Sequence, residues 1–287
     1  MTTNYRDVCA GIVLYNPDLY RLKLSIASIS KQVGHLVLID NGSNDKIAIE
    51  RLAEESVDST LIRLDENKGI AYALNRICEY SESHQYKWAF TLDHDTVCPS
   101  DIIEKLMMHA DIETSGIVCP SVYYEGLGVD TRERSLAEVE DVKACMTSAS
   151  LTNLKAWREV GGFNESYFID YVDNDICMKL KLLGYSIKRV NSCAIHHQLG
   201  NTRTLNLLGK KLVGTTHSPI RCYYIMRNNI LFIKEYKPHL PLLKEASKVI
   251  YIAYKEFLFS ETKGQTLSML IKGIGDGLKG RSGKYNG

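Results

Sequence analysis

Trp88-Ala-Phe-Thr-Leu-Asp-His-Asp95 is the stretch on which the fold turns. Trp88, Phe90 and Leu92 make an apolar run that stops at two carboxylates, Asp93 and Asp95, one residue apart. A buried strand delivering two acids at its carboxyl end accounts for this, because ligands of open α/β sheets bind at that edge. Carboxylates so spaced suit a hard divalent cation that also holds a diphosphate. Asp-x-Asp is equally at home in a solvated turn, so the surrounding sequence has to decide. Downstream, Val97-Cys-Pro99 breaks the strand, and Ser100-Asp101 reads as a helix N-cap with an acid behind it.

Upstream the pattern repeats. Val8 to Tyr15 is a continuous apolar run, as a strand buried on both faces requires, and Asn16-Pro17-Asp18 ends it. Leu19, Leu22, Ile26 and Ile29 follow at helical spacing. His35 to Ile39 reads as a second strand ending at Asp40-Asn-Gly-Ser43, Ile47 to Ala53 as a short helix, and Thr60 to Leu64 as a third strand. Asn67-Lys-Gly-Ile70 leads into another helix. Alternating strands and helices imply an α/β fold with a Rossmann-like, mostly parallel sheet flanked by helices. Asp40, Asn67 and Asp93 then all lie at carboxyl ends of strands and should converge on one crevice. Neither G-x-G-x-x-G after the first strand nor G-x-x-x-x-G-K-[ST] occurs, which argues against a dinucleotide oxidoreductase and a P-loop enzyme.

The 287 residues are 45% hydrophobic and 24% charged, as in an ordinary globular protein. Eight cysteines are scattered without a C-x-x-C pair, which reads as reduced core residues of a cytoplasmic protein. No signal-peptide pattern and no membrane-spanning stretch is present. The net charge of +1 conceals an asymmetry: Leu205 to Gly287 carries fourteen Lys/Arg and five Asp/Glu, leaving 21 basic and 29 acidic residues elsewhere. A basic tail on an acidic body suits an anionic partner surface, or simply solvated helix faces.

Past the central strand, Gly116 to Cys119 reads as a strand, 123–141 as a mobile polar loop, and Cys145 to Leu151 as a return to the core. Trp157 to Gly162 reads as a helix with a glycine stop. A second acidic constellation follows at Tyr167-Phe-Ile-Asp-Tyr-Val-Asp-Asn-Asp175, opening a helix that Gly184 closes. Its stripe of Ile176, Cys177, Leu180 and Leu183, extended one turn back, lands on Asp173. Asp175 lies about 200° round the helix and pairs with Lys179 at i+4. Asp173 therefore points inward, as a functional acid or as a helix cap, and Asp170 is either a cap or a second acid. Ser186 to Val190 reads as an edge strand, followed by Cys193-Ala-Ile-His-His-Gln-Leu-Gly200, whose histidines cannot both face one site. One imidazole could join Asp95 on a hard metal, although a lone histidine is more often structural.

The last third reads as helices over Tyr223–Ile233, Ala246–Phe259 and Thr266–Leu278. Their apolar faces flanked by lysine suit an anionic membrane surface, the body of the protein, or a second subunit in a homodimer. No nucleic-acid-binding module is recognisable.

Taken in order, several motifs resemble family 2 glycosyltransferases of the GT-A fold, and more narrowly bacterial rhamnosyltransferases that use dTDP-L-rhamnose. They are Val13-Leu-Tyr-Asn-Pro17, Leu38-Ile-Asp-Asn-Gly-Ser43, Asn67-Lys-Gly-Ile-Ala71, Leu92-Asp-His-Asp95, Val160-Gly-Gly-Phe163, Phe168 to Asp173, His197-Gln-Leu-Gly200, Ser218 to Asn228 and Lys272 to Arg281. The resemblance implies a GT-A catalytic domain over 1–204, with a nucleotide-sugar half (1–100) and an acceptor half (101–204), and a C-terminal helical extension over 205–287. It implies that Asp40 hydrogen-bonds the base with Tyr15 packed nearby, that Asn67 and Asp93 contact the donor, and that Asp95 holds Mg²⁺ or Mn²⁺ with His197. Asp173 becomes the general base of an inverting transfer. Arg221 or Arg227 supplements positive charge on the leaving diphosphate. The acceptor implied is a surface-polysaccharide glycan on a lipid diphosphate carrier, reached at the cytoplasmic face of the inner membrane. Val172 stands where many members have Glu, and Thr147-Ser-Ala-Ser replaces a more usual Thr-Ser-Gly. The alternatives are the same chemistry on a UDP-hexose and a non-catalytic sugar-nucleotide-binding module. A sugar-nucleotide pyrophosphorylase would want a glycine-rich loop that Gly11 to Pro17 does not provide.

Overall fold

The structure, a computed structural model, describes residues 5–56, 59–125, 129–130, 137–198, 202–207 and 210–287. Its N-terminal half is built from the alternation seen in the sequence. Strand β1 (Tyr5–Leu14) is buried without interruption from Val8 to Leu14, as a central strand should be. Around it lie β2 (Val33–Asp40), β3 (Ser59–Arg63) and β4 (Trp88–Asp93), all parallel, in the order β3-β2-β1-β4. Helices α1 (Leu19–Ile29), α2 (Lys46–Glu54) and α3 (Ile70–Ser83) make the crossovers. Asp18 caps α1 and Asp45 caps α2, each accepting a first-turn backbone N–H. Helix α4 (Ile102–Met107) has Asp101 rather than Ser100 at its N-cap, and Asp101 pairs with Lys105 instead of bonding the backbone.

Beyond β4 the sheet turns antiparallel. Strand β8 (Ser150–Asn153) sits between β4 and β5 (Ser115–Glu125), antiparallel to both, and the order continues through β9 (Ser186–Gln198) to β7 (Val139–Asp141). The expected edge strand at Ser186–Val190 is thus an interior one, flanked by β5 and β7. It also runs unbroken to Gln198. The two-residue β6 (Val129–Asp130) pairs with β5, while 126–128 and 131–136, part of the expected loop, lie outside the described residues. Helix α5 (Leu154–Glu159) ends before Gly161 and Gly162, and α6 (Val172–Leu182) before Gly184, all three glycines at positive φ.

The chain divides into two compact units. The first comprises Met1–Tyr123, Asp130–Glu165 and Val172–His197. The second comprises Tyr124–Val129, Ser166–Tyr171 and Gln198–Gly287. In the second, the hairpin of β10 (Thr202–Leu207) and β11 (Lys210–Thr215) precedes α7 (Pro219–Tyr236), α8 (Leu242–Phe259) and α9 (Lys263–Leu278). Cys222 and Met226 of α7 and Leu270 of α9 form its core, with Val249, Ile252, Ala253 and Phe257 of α8 packed on them. A Cβ at Gly273 would lie 2.5 Å from the Tyr223 carbonyl, so only glycine lets α9 approach α7 this closely.

Candidate active site

The first unit gathers the acids by strand register. Leu14 pairs with Asp40 on one side of β1, and Val13 with Asp93 on the other. With two strand spacings between them, the two acids stand roughly 10 Å apart across the carboxyl edge. Tyr15, half exposed at 48%, follows directly on β1.

Asp40 is completely buried. Its Oδ1 accepts the Ser43 N–H at 2.9 Å, while Oδ2 has no partner among the described residues. Such an atom costs free energy unless a ligand donor reaches it. The turn that shapes this end is tightly specified. Gly42 takes φ +82°, and a Cβ there would meet the Glu66–Asn67 peptide at 2.5–2.6 Å. Asn41 donates to the Asn67 Oδ1 at 3.2 Å and the Gly69 carbonyl at 3.1 Å, and accepts from the Lys68 N–H at 3.0 Å. Asn67 therefore serves partly as a strut here, fixing the loop before α3. The Asn16 N–H donates to Ser43 Oγ at 2.9 Å, closing the ring of contacts beside β1.

Asp93 and Asp95 sit half-buried on a tight turn closed by the Thr96 N–H on the Asp93 carbonyl at 3.2 Å. Ser148 locks that turn. Its buried Oγ accepts the Asp93 N–H at 3.0 Å and lies 3.0 Å from Thr96 Oγ1. Next to it, the Thr147 carbonyl accepts Thr91 Oγ1 at 2.5 Å, and the Thr147 N–H donates to Asp173 Oδ1 at 3.3 Å. One loop, with Ala149 at φ +60°, thus bonds both the acid turn and Asp173. Sequence reasoning noted Thr147-Ser-Ala-Ser without seeing this role. Its signal was a hydroxyl-rich run immediately before a buried strand.

Asp173 is half-buried in the first turn of α6, and Asp175 is the acid that lies fully inside. The helix-face expectation is corrected on both counts. The buried side of α6 comprises Val172, Asp175, Ile176, Cys177 and Leu180, whereas Leu183 is 57% exposed. Asp175 tolerates burial because Lys179 lies 3.2 Å from its Oδ2. The same ammonium donates to the Gly162 carbonyl at 3.2 Å, so this ion pair holds the Gly161-Gly162 turn. From the other side, Asn75 Oδ1 accepts the Phe163 N–H at 2.9 Å and its Nδ2 donates to the Phe163 carbonyl at 2.9 Å. The thiols of Cys145 and Cys177 lie near Asp173. Hydrogen bonding with neighbouring thiols, burial and the Asp173 charge hold both well above the usual thiol range, so they stay neutral.

In the second unit Arg221 is exposed and forks onto Asp170, at 3.1 and 3.4 Å. Asp170 is thereby engaged as an ion-pair partner. Arg227, expected at a diphosphate, is enclosed within the second unit. It is 1% exposed, stacked at 4.9 Å over Tyr224, and donates to the carbonyl of Gly283 at 2.6 Å and to Asn228 Oδ1 at 2.9 Å. A guanidinium so enclosed ties the helices to the tail. Asn228 holds the backbone of Ile169 and Asp170 at 2.6 and 3.1 Å, where Asp170 and Tyr171 both take left-handed φ of +63° and +66°. The side chain of His197 lies outside the described residues.

Among the described residues no cluster of three or more His, Cys, Asp or Glu is arranged to hold a metal ion. Two carboxylates on one rigid turn nevertheless suit Mg²⁺ or Mn²⁺, hard ions that complete their shells with substrate phosphates and water. The donor set fits that class of ion.

The model of the family described as Glycosyl transferase family 2 matches residues 9–174. Over 98% of this chain and 99% of its own length, the dTDP-rhamnosyl transferase RfbF of Shigella flexneri is 28% identical. Among solved structures, GalNAc-T7 with UDP, GalNAc and Mn²⁺ superposes with a TM-score of 0.61 at 14% identity, over 96% of this chain and 56% of that one. Residues 1–349 of S. aureus TarS superpose with a TM-score of 0.59 at 17% identity, covering 96% of this chain and 80% of that one. The same TarS fragment in complex with UDP gives a TM-score of 0.54 at 12% identity, over 95% and 91% of the two chains. At these identities the superpositions establish the GT-A-like fold.

Proposed function

Because this chain belongs to glycosyl transferase family 2, we propose that it moves L-rhamnose from dTDP-L-rhamnose to a hydroxyl of a lipid-linked surface glycan, with inversion at the anomeric carbon. The observation that carries the mechanism is the 147–149 loop, which hydrogen-bonds the Asp93–Thr96 turn on one side and Asp173 on the other. The full-length relative RfbF supports the choice of donor.

Asp40 offers its unpartnered Oδ2 to an N–H of the base, and Tyr15 packs beside the ring. Asn67 and Asp93 line the donor next to it. Asp95, with His197 as a further ligand, would hold a divalent cation, which when bound supplies positive charge to the diphosphate. Asp173 takes the proton of the acceptor hydroxyl as its oxygen attacks the anomeric carbon and the bond to the diphosphate breaks. Arg221 adds charge for the leaving group once it exchanges Asp170 for phosphate.

The test is hydrolysis and binding of a panel of nucleotide sugars with Mg²⁺, Mn²⁺ or EDTA, on wild type and Asp95→Asn. Metal-dependent selectivity for dTDP-L-rhamnose, lost in the variant, is the expected result. A second reading, a UDP-hexose donor, draws on the UDP in two of the superposed structures. Preference for a UDP-sugar would favour it, and binding without turnover would point to a non-catalytic module.

A further inference from the structure

The C-terminal helices turn their carboxylates inward and their apolar side chains outward. On α8 the exposed side chains include Leu243 at 91%, Ile250 at 71%, Tyr251 at 64% and Tyr254 at 57%. At ~100° per residue these fall on one stripe, with Lys244, Lys248 and Lys255 along one edge of it. Helix α9 repeats the arrangement with Leu267, Ile271 and Leu278 exposed at 47%, 62% and 62%, and Lys272 and Lys279 alongside. Both helices pack their opposite faces on α7, so the two stripes are turned away from it.

The charges on this surface are one-sided. Glu245 faces Lys248 at 3.6 Å. Glu256 is buried between His217 at 2.8 Å and Lys255 at 3.2 Å. Asp276 is held by Tyr223, Arg281 and Lys272. Over residues 242–287, all of them described, Lys244, Lys248, Lys263, Lys279, Arg281 and Lys284 are exposed, against Glu261 as the exposed acid.

We propose that the outward faces of α8 and α9 form a docking surface for an anionic lipid bilayer, lying in its headgroup region. The chemistry fits on three counts. Aliphatic side chains reach the acyl boundary, tyrosines sit at headgroup depth, and the lysines meet phosphates. A second copy of the chain fits worse. A two-fold contact would set this patch against itself, the exposed Lys244, Lys248, Lys263 and Lys279 of the two helices against the same lysines. No described helix is long and apolar enough to cross a membrane, so the docking is peripheral.

The test is co-sedimentation of the full chain with vesicles of phosphatidylcholine alone and with about a third phosphatidylglycerol. Partition at least tenfold stronger to the anionic vesicles is expected, weakening as salt rises. The pair Ile250→Glu and Tyr254→Glu should abolish it, and Lys244→Glu with Lys279→Glu should remove most of the anionic preference. Melting temperature and donor hydrolysis should stay at wild-type levels in both, which separates loss of docking from misfolding and from failure of the assigned chemistry. Equal partition to neutral and anionic vesicles, or none to either, would overturn the proposal. So would a dimer in light scattering that the Ile250→Glu, Tyr254→Glu pair dissociates.

Discussion

Asp173 and Asp175 stand two residues apart in one helical turn and live in different worlds. Asp173 is half-open and takes a backbone N–H from the loop that also braces Asp93. Asp175 is sealed, and its charge is answered by Lys179 from within the same helix. The contrast teaches that a buried acid is no better a candidate for chemistry than a half-open one. What qualifies Asp173 is access together with a rigid tie to the other acids, while Asp175 spends its charge on holding Lys179 and, through it, the Gly162 carbonyl.

The sharpest way to break that contrast is to neutralise each acid in turn. Asp173→Asn should lower turnover by ~10³-fold or more, with donor affinity and melting temperature unchanged, as loss of a general base predicts. Asp40→Asn tests the other fully buried acid, which has an open oxygen where Asp175 has a cation. It should weaken donor binding by about 10- to 100-fold in calorimetry and leave kcat within a few-fold. Asp175→Asn should keep most of its turnover and cost about 1–3 kcal/mol in denaturant unfolding. Equal loss of turnover in Asp173→Asn and Asp175→Asn would erase the distinction. Ser148→Ala should have the smallest effect, about 5- to 10-fold in kcat with donor KM unchanged, because it loosens the brace and removes no reacting group. A drop in donor affinity instead would assign Ser148 to the nucleotide.

The parallel half of the sheet was legible because its signals are local. Continuous apolar runs ending in Asn, Asp or Gly mark β1, β2 and β4, and the placing of Asp40 and Asp93 at the carboxyl edge follows from where those runs stop. The face of α6 was not legible, for a physical reason. Its buried side contains an ion pair, and a stripe drawn through apolar residues alone passes Asp175 by and picks up Leu183, one residue past the end of the helix. The insertion of β8 between β4 and β5 rests on pairings between distant residues, which periodicity does not report. Arg227 illustrates a third limit. Its sequence neighbourhood matched a family motif, but its partners are Tyr224, Asn228 and the Gly283 carbonyl, the last some fifty residues on.

The loop over Ser166–Tyr171 carries a consequence for how the protein is born. Its ties come from Arg221 and Asn228 and, at Ser166, from the N–H of Gly283. A nascent chain that has just cleared the ribosome to Gln198 already owns every described strand of the main sheet, with the two left-handed residues before α6 still unanchored. Those anchors follow later in the chain, Arg221 and Asn228 first and Gly283 after them. A chain stalled before Gly283 should hold its sheet, while the loop before α6 should still lack its tie at Ser166.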